Sequence, residues 1–155
     1  MSRAFVRESD DAGTELDVPE RAVSPHRNLV TPAGLRQIES TVKRIEDELS
    51  AARAAEDKGA IARCQRDLRY WQKRRASAEV PRLGGKTERV RFGSRVTVEL
   101  EDGSRREFEI VGEDEADPAA GKIAYVAPVA AAMIGAQLGD RVPTGAGNGE
   151  IITLS

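Results

Sequence analysis

The sequence predicts an α+β protein: an antiparallel helical hairpin followed by a small antiparallel sheet domain with one short helix. Three observations lead there. Apolar residues recur at alternating spacings of three and four from Leu35 to Ala52, and the same spacing resumes from Ile61 to Trp71. A short connection holding Glu56, Asp57 and Gly59 separates the two runs. Beyond "PRLGGKTE" the period drops to two, as in half-buried strands.

Residues 1–30 mix Asp, Glu, Pro, Ser and Arg with few large apolar side chains and no sustained period, which reads as a mobile N-terminal tail within which "SPHRN" can become ordered by packing on the rest. His26 is the only histidine, and no second histidine or cysteine stands near it to share a metal. Residues 31–82 form the predicted hairpin. Thr31 suits a helix N-cap and Pro32 the first helical position, where an N–H has no partner to lose. Leu35, Ile38, Val42, Ile45, Leu49 and Ala52 then make a narrow coiled-coil seam with charged flanks. The second seam, Ile61, Cys64, Leu68 and Trp71, lapses at Arg75, returns at Ala78, and is closed by Pro81. A short connection between two such seams folds them back on each other.

Residues 83–155 alternate. Val96, Val98 and Leu100 share one face, "EDGS" makes a turn, and Phe108 and Ile110 share a face after it. An acidic loop "EDEADPAAG", a short strand "KIAYVA", an Ala-rich helix "PVAAAMIGAQLG", an extended "DRVP" and a closing strand "GEIITL" complete an α+β module.

Composition excludes several classes. A single cysteine among 155 residues rules out an intramolecular disulfide framework and a cysteine-cluster metal site. No apolar run suits a signal peptide or a membrane span, so a cytoplasmic protein without membrane contact is the expectation. Net charge is −2 overall, yet residues 31–82 carry twelve basic against eight acidic side chains, and residues 83–155 the reverse. Such a polarised molecule orients its encounter with a large charged partner.

Each candidate for chemistry has a plain alternative. Glu113, Asp114, Glu115 and Asp117 do not match a calcium loop and read as a solvated acidic loop. "GAGNGE" lacks the Lys and Ser/Thr of a phosphate loop and precedes a strand, so it reads as a hairpin turn. Cys64 and Trp71 lie on a packed seam, and nothing supports nucleophilic catalysis. The second helix carries Arg63, Arg66, Arg69, Lys73, Arg74 and Arg75 against Asp67 alone. A stripe of this kind is either a solvated face or a contact for phosphates or an acidic surface.

In combination these pieces resemble the GreA/GreB family of bacterial transcription elongation factors. The runs "VRFGSRVTVELEDG", "REFEIVGEDEAD", "KIAYVAPVAAAMIG" and "LGDRVP" occur in the family's order and spacing, preceded by the "VTPAGL" helix start. The resemblance implies an FKBP-like C-terminal domain that docks on core RNA polymerase and a coiled coil that enters its secondary channel. It implies no cofactor of the protein's own. In the family an acidic pair at the coil tip helps hold the second Mg²⁺ of the polymerase active centre, so the polymerase cleaves its own backtracked transcript. The factor itself is not an enzyme, and a monomer is expected.

Two departures qualify that implication. No acid motif of the family's kind stands at the tip; only Glu56 and Asp57 lie near it, tentative metal ligands that read first as the polar cap of a turn. The arms look shorter than the family's by about 8 to 12 residues each, or roughly 12 to 18 Å of reach. At the docking segment Pro128 keeps the family's proline, but Val126 stands where Asp or Asn is usual and Ala127 replaces a common Ser. The short coil is similar to that of Rnk, a relative that binds polymerase without cleavage activity. The leading expectation is therefore an elongation regulator docked through Val126, Ala127 and Pro128, whose coil, with Arg63, Arg66, Lys73 and Arg74, occupies or blocks the channel. The alternatives are a transcript-cleavage factor using Glu56 and Asp57, and a nucleic-acid-binding module acting through the basic helix. Prolyl isomerase activity is not expected from fold alone.

Overall fold

The computed structural model describes residues 18–155; the expected tail over residues 1–17 lies outside them. Helix α1 (Pro32–Ala54) begins where the sequence predicts, with the Thr31 hydroxyl accepting the Gly34 N–H at 2.9 Å. It buries Ile38, Val42, Ile45, Leu49 and Ala52, the predicted seam. Leu35 is only half-buried. Gly34 is buried instead, because the Glu115 carboxylate lies against it where a β-carbon would stand.

Helix α2 (Lys58–Ser77) takes Gly59 into its first turn, so the connection is only Ala55, Glu56 and Asp57. The helix ends at Ser77, four residues before Pro81, because Ala78 is already extended. Its seam residues Ile61, Cys64, Leu68 and Trp71 are half-buried, and the one residue of α2 that is fully buried is Arg74. At 1.5 Å per residue the 23-residue and 20-residue helices are about 34 and 30 Å long.

The C-terminal domain is a five-stranded sheet in the order β3 (Lys122–Ala124), β2 (Arg105–Val111), β1 (Arg95–Leu100), β5 (Asn148–Leu154), β4 (Arg141–Pro143). Strands β1 and β2 form the predicted hairpin, with Gly103 at φ 81° in the turn. Strand β3 pairs in parallel with β2, Ile110 opposite Ile123. This departs from the expected antiparallel sheet, and the reason lies in the connection. Residues 112–121 make two 3-10 turns, Glu113–Glu115 and Pro118–Ala120, which carry the chain back before β3 starts. Strands β4 and β5 close the sheet in antiparallel pairings.

Helix α3 (Pro128–Met133) is half the length the alanine-rich run suggested. The chain leaves it at Ile134 because the Gly135 N–H donates to the Val90 carbonyl at 2.8 Å and the Val90 N–H to the Ala136 carbonyl at 2.8 Å. Strand-like pairing with residue 90 thus replaces the next helical turn. Val90, Val96, Val98, Ile110, Ala130, Met133, Val142 and Ile151 form the core. Burying an aliphatic side chain of this size stabilises by about 1.5 to 3 kcal/mol.

Residues 18–30, expected as part of the tail, take a defined course along α2. Leu29 bridges Glu79 in parallel, the Val30 N–H donates to the Glu79 carbonyl at 2.9 Å, and the Glu79 N–H donates to the Asn28 carbonyl at 2.8 Å. Asn28 and Val30 are buried. A composition poor in large apolar residues hid this, since backbone pairing and one amide supply the anchor. Among the described residues no helix is long and apolar enough to cross a membrane.

Candidate interaction site

At the tip, Asp57 has a structural duty. Its Oδ1 accepts the Ala60 N–H at 3.0 Å and so caps α2, satisfying a donor the helix start would otherwise leave open. Glu56 beside it holds φ at 55°, the one described non-glycine residue at positive φ. Both residues are exposed. Among the described residues no group of three or more His, Cys, Asp or Glu is placed to hold a metal ion.

Along α2 the predicted basic residues part company. Arg63, Arg69 and Lys73 are exposed and Arg66 is half-buried. Arg74, expected on the same outward stripe, is 1% exposed and points inward. Its Nε donates to Asp114 Oδ2 at 2.5 Å, and its Nη2 lies 3.7 Å from Glu113 Oε2. A charge taken out of water must be paired and hydrogen-bonded, so Arg74 is an internal strut and not a partner contact.

The acid loop is corrected by the same contacts. Asp114 also accepts the Tyr70 hydroxyl at 2.7 Å. Glu115 is buried and takes the Thr31 hydroxyl at 2.6 Å, with Lys122 Nζ at 4.0 Å. Ser24 donates to Glu113 at 3.0 Å. Glu113, Asp114 and Glu115 are therefore the joint between the hairpin and the sheet domain, where the sequence suggested a solvated loop. Burial first, and then the bond to Asp114, push the Tyr70 phenol up to about 12. Gly112 completes the joint, for a β-carbon there would collide with the Leu29 carbonyl. None of Asn28, Thr31, Tyr70, Asp114 or Glu115 was singled out from sequence as a joint residue. The signal is three-dimensional, namely an acid triplet and one arginine brought together across 40 positions.

The docking segment sits between β3 and α3. Val126 and Ala127 are half-buried and Pro128 is exposed. Ala127 is the N-cap of α3 but has no side-chain oxygen to offer its open N–H groups. Ile134 and Leu138, 41% and 58% exposed, follow on the same connection and add apolar surface. Phe92 packs edge to face on Tyr125, ring centres 5.7 Å apart, and the Tyr125 hydroxyl donates to the Arg27 carbonyl at 2.5 Å.

A two-helix arm joined by a buried ion pair to a small curled sheet leaves the molecule two exposed surfaces of different chemistry, an apolar edge beside α3 and a basic flank on the arm. Residues 85–154 match the family model described as transcription elongation factor, GreA/GreB, C-term. A transcription elongation factor GreA from Hyphomonas neptunium is 42% identical over 81 residues, 49% of this chain and 50% of that protein. The GreA of Nitratidesulfovibrio vulgaris is 29% identical over 141 residues, 79% of this chain and 86% of its own. A solved GreA/GreB from Nitrosomonas europaea aligns at 19% identity and TM-score 0.40, covering 82% of this chain and 98% of that one. Residues 85–154 are thus similar to the C-terminal domain of the GreA/GreB family, and the chain as a whole is similar to GreA proteins.

Proposed function

We propose that the protein is a regulator of transcription elongation that binds RNA polymerase through the C-terminal domain and places its short arm at the secondary channel without delivering a catalytic carboxylate pair. The observation that carries this reading is the state of the tip. Asp57 commits Oδ1 to capping α2, which fixes its carboxylate in the orientation the cap requires, and Glu56 is the other acid of the connection. Two-metal chemistry needs oxygens held at about 2 Å from the ion by a rigid frame. Two exposed acids on a three-residue turn, one of them oriented by a helix cap, do not provide such a frame.

The joint supports the same reading. Arg74, Asp114 and Glu115 fix the arm to the domain, so docking the domain would aim the arm. Val126, Ala127 and Pro128, with the neighbouring Ile134 and Leu138, are the surface we assign to docking. Retention by immobilised core RNA polymerase tests the proposal: the native chain is retained, and Leu138→Asp with Ile134→Asp is not. Release of short 3′ RNA from a backtracked complex on adding the protein would replace the regulator reading with assisted cleavage.

A further inference from the structure

We propose that residues 18–27 form a strap that occupies the basic, aromatic flank of α2 and competes there with a single-stranded nucleic acid. This rests on the reading of the arm as a contact surface. The strap runs parallel to α2, with Glu20 at the level of Arg69, Arg21 at Asp67, Tyr70 and Trp71, and Arg27 at Glu79. It is held unevenly. At its C-terminal end Asn28 is buried and its Nδ2 donates to the Arg74 carbonyl at 2.7 Å. At the other end Glu20 and Arg21 are exposed side chains making surface contacts only. Exposed pairs of that kind are worth little, so the first part of the strap opens locally while residues 28–30 stay in place.

What the strap touches identifies what it competes with. The Glu20 carboxylate takes the Arg69 guanidinium, with Nε–Oε1 at 2.9 Å. Arg69, Lys73 and Arg66 all act to hold that carboxyl below its usual range, the bond from Arg69 most strongly. Residues 66, 69 and 73 follow one another at three and four along the helix, which puts the three cations on one flank. Beside them the planar Arg21 guanidinium lies 3.9 Å from the centre of the Tyr70 ring and 5.5 Å from that of Trp71. Tyr70 and Trp71 meet edge to face at 5.1 Å. Within two successive residues the strap thus sets an anion on the cationic row and a flat group on an aromatic face. A nucleotide offers the same pair, a phosphate and a base, and single-strand binding sites combine those two elements. An acidic peptide would use Arg69 but leave the Tyr70 face without a stacking partner. Asp67, the acid on this flank, is answered by Arg66 at 2.9 Å and by Arg21 at 3.6 Å.

The test uses the full chain, a fluorescein-labelled oligothymidylate and anisotropy at low salt. Glu20→Gln with Arg21→Ser is expected to bind about fivefold tighter than the native chain, the value of two surface contacts removed from the closed state. Its affinity falls with salt at a log–log slope of about −2, as for three phosphates on a single strand. Binding quenches Trp71, the only tryptophan. Adding Arg69→Ala and Lys73→Ala to the open variant cancels the gain. Circular dichroism confirms that each variant keeps its helices, and Glu20→Gln alone gives an intermediate affinity if the double substitution is unstable. Equal affinity of native and open chains overturns the strap. Tighter binding of the open chain to polyglutamate than to the oligonucleotide overturns the partner. Retention on core polymerase is measured separately and fails only if the docking proposal fails.

Discussion

Truncating Arg74 to alanine removes the strut between arm and domain, and its cost can be worked from the contacts. The guanidinium is 1% exposed and faces Asp114, whose side chain is 10% exposed, and Glu113 at 23%. Without it two carboxylates remain near a low-dielectric joint, and Asp114 keeps only the Tyr70 hydroxyl. Breaking a buried pair by deleting one member costs about 3 to 5 kcal/mol. Glu113 is partly solvated, which places Arg74→Ala near the lower bound, about 3 kcal/mol. For a chain of this length that corresponds to a fall in Tm of roughly 6 to 12 °C. Urea unfolding followed by Trp71 fluorescence and by far-ultraviolet circular dichroism reads both arm and domain. A double-mutant cycle with Asp114→Ala isolates the pair, with an expected coupling of about 2 kcal/mol. For contrast, Arg44→Ala removes an exposed ion pair to Glu48 one helical turn away and should cost at most about 0.5 kcal/mol. If Arg74→Ala costs no more than Arg44→Ala, the joint is not held by this arginine and the fixed aim of the arm loses its basis.

The remaining predictions concern the joint and the tip. Tyr70 titrates near pH 12, against an ordinary value of 10. Because its folded value is raised, the stability it lends is complete below pH 10 and is lost as pH climbs from 10 to 12; ultraviolet titration of tyrosinate and unfolding curves at both pH values check this. Asp57→Ala should destabilise α2 by about 1 kcal/mol through loss of the cap. Glu56→Gly should raise Tm slightly, because φ 55° suits glycine. Gly112→Ala should weaken the joint by several kcal/mol or scatter it, since the added carbon meets backbone at Leu29; thermal melts decide all three.

Much of this architecture can be read in the sequence where one local rule sets it. The α1 seam follows from periodicity, the start at Thr31 from capping, and the β1–β2 hairpin from alternation around "EDGS". What periodicity misses is any feature made by distant segments meeting. Arg74 stands among six basic residues with nothing local to distinguish it. Only the fold-back of Asp114 draws it inward. The acids at 113–115 look solvated for the same reason. Residues 18–30 are legible neither by hydropathy nor by period, because Asn28 and backbone pairing to Glu79 anchor them. The short α3 reflects a competition that Val90, far upstream in the chain, wins for the backbone of Gly135 and Ala136. At the candidate site, sequence pointed to the basic flank and to the tip acids as the polar cap of a turn; the geometry adds that Asp57 makes that cap on the Ala60 N–H.

In the proposed function this arm presents no carboxylate to the polymerase metal. The most direct measurement is the distance from Glu56 and Asp57 to the active-centre Mg²⁺ in a complex with core RNA polymerase. On the arm length that the resemblance implies, about 8 to 12 helical residues short, a gap on the order of 12 to 18 Å is expected. Either carboxylate found at the coordination distance of about 2 Å contradicts the account.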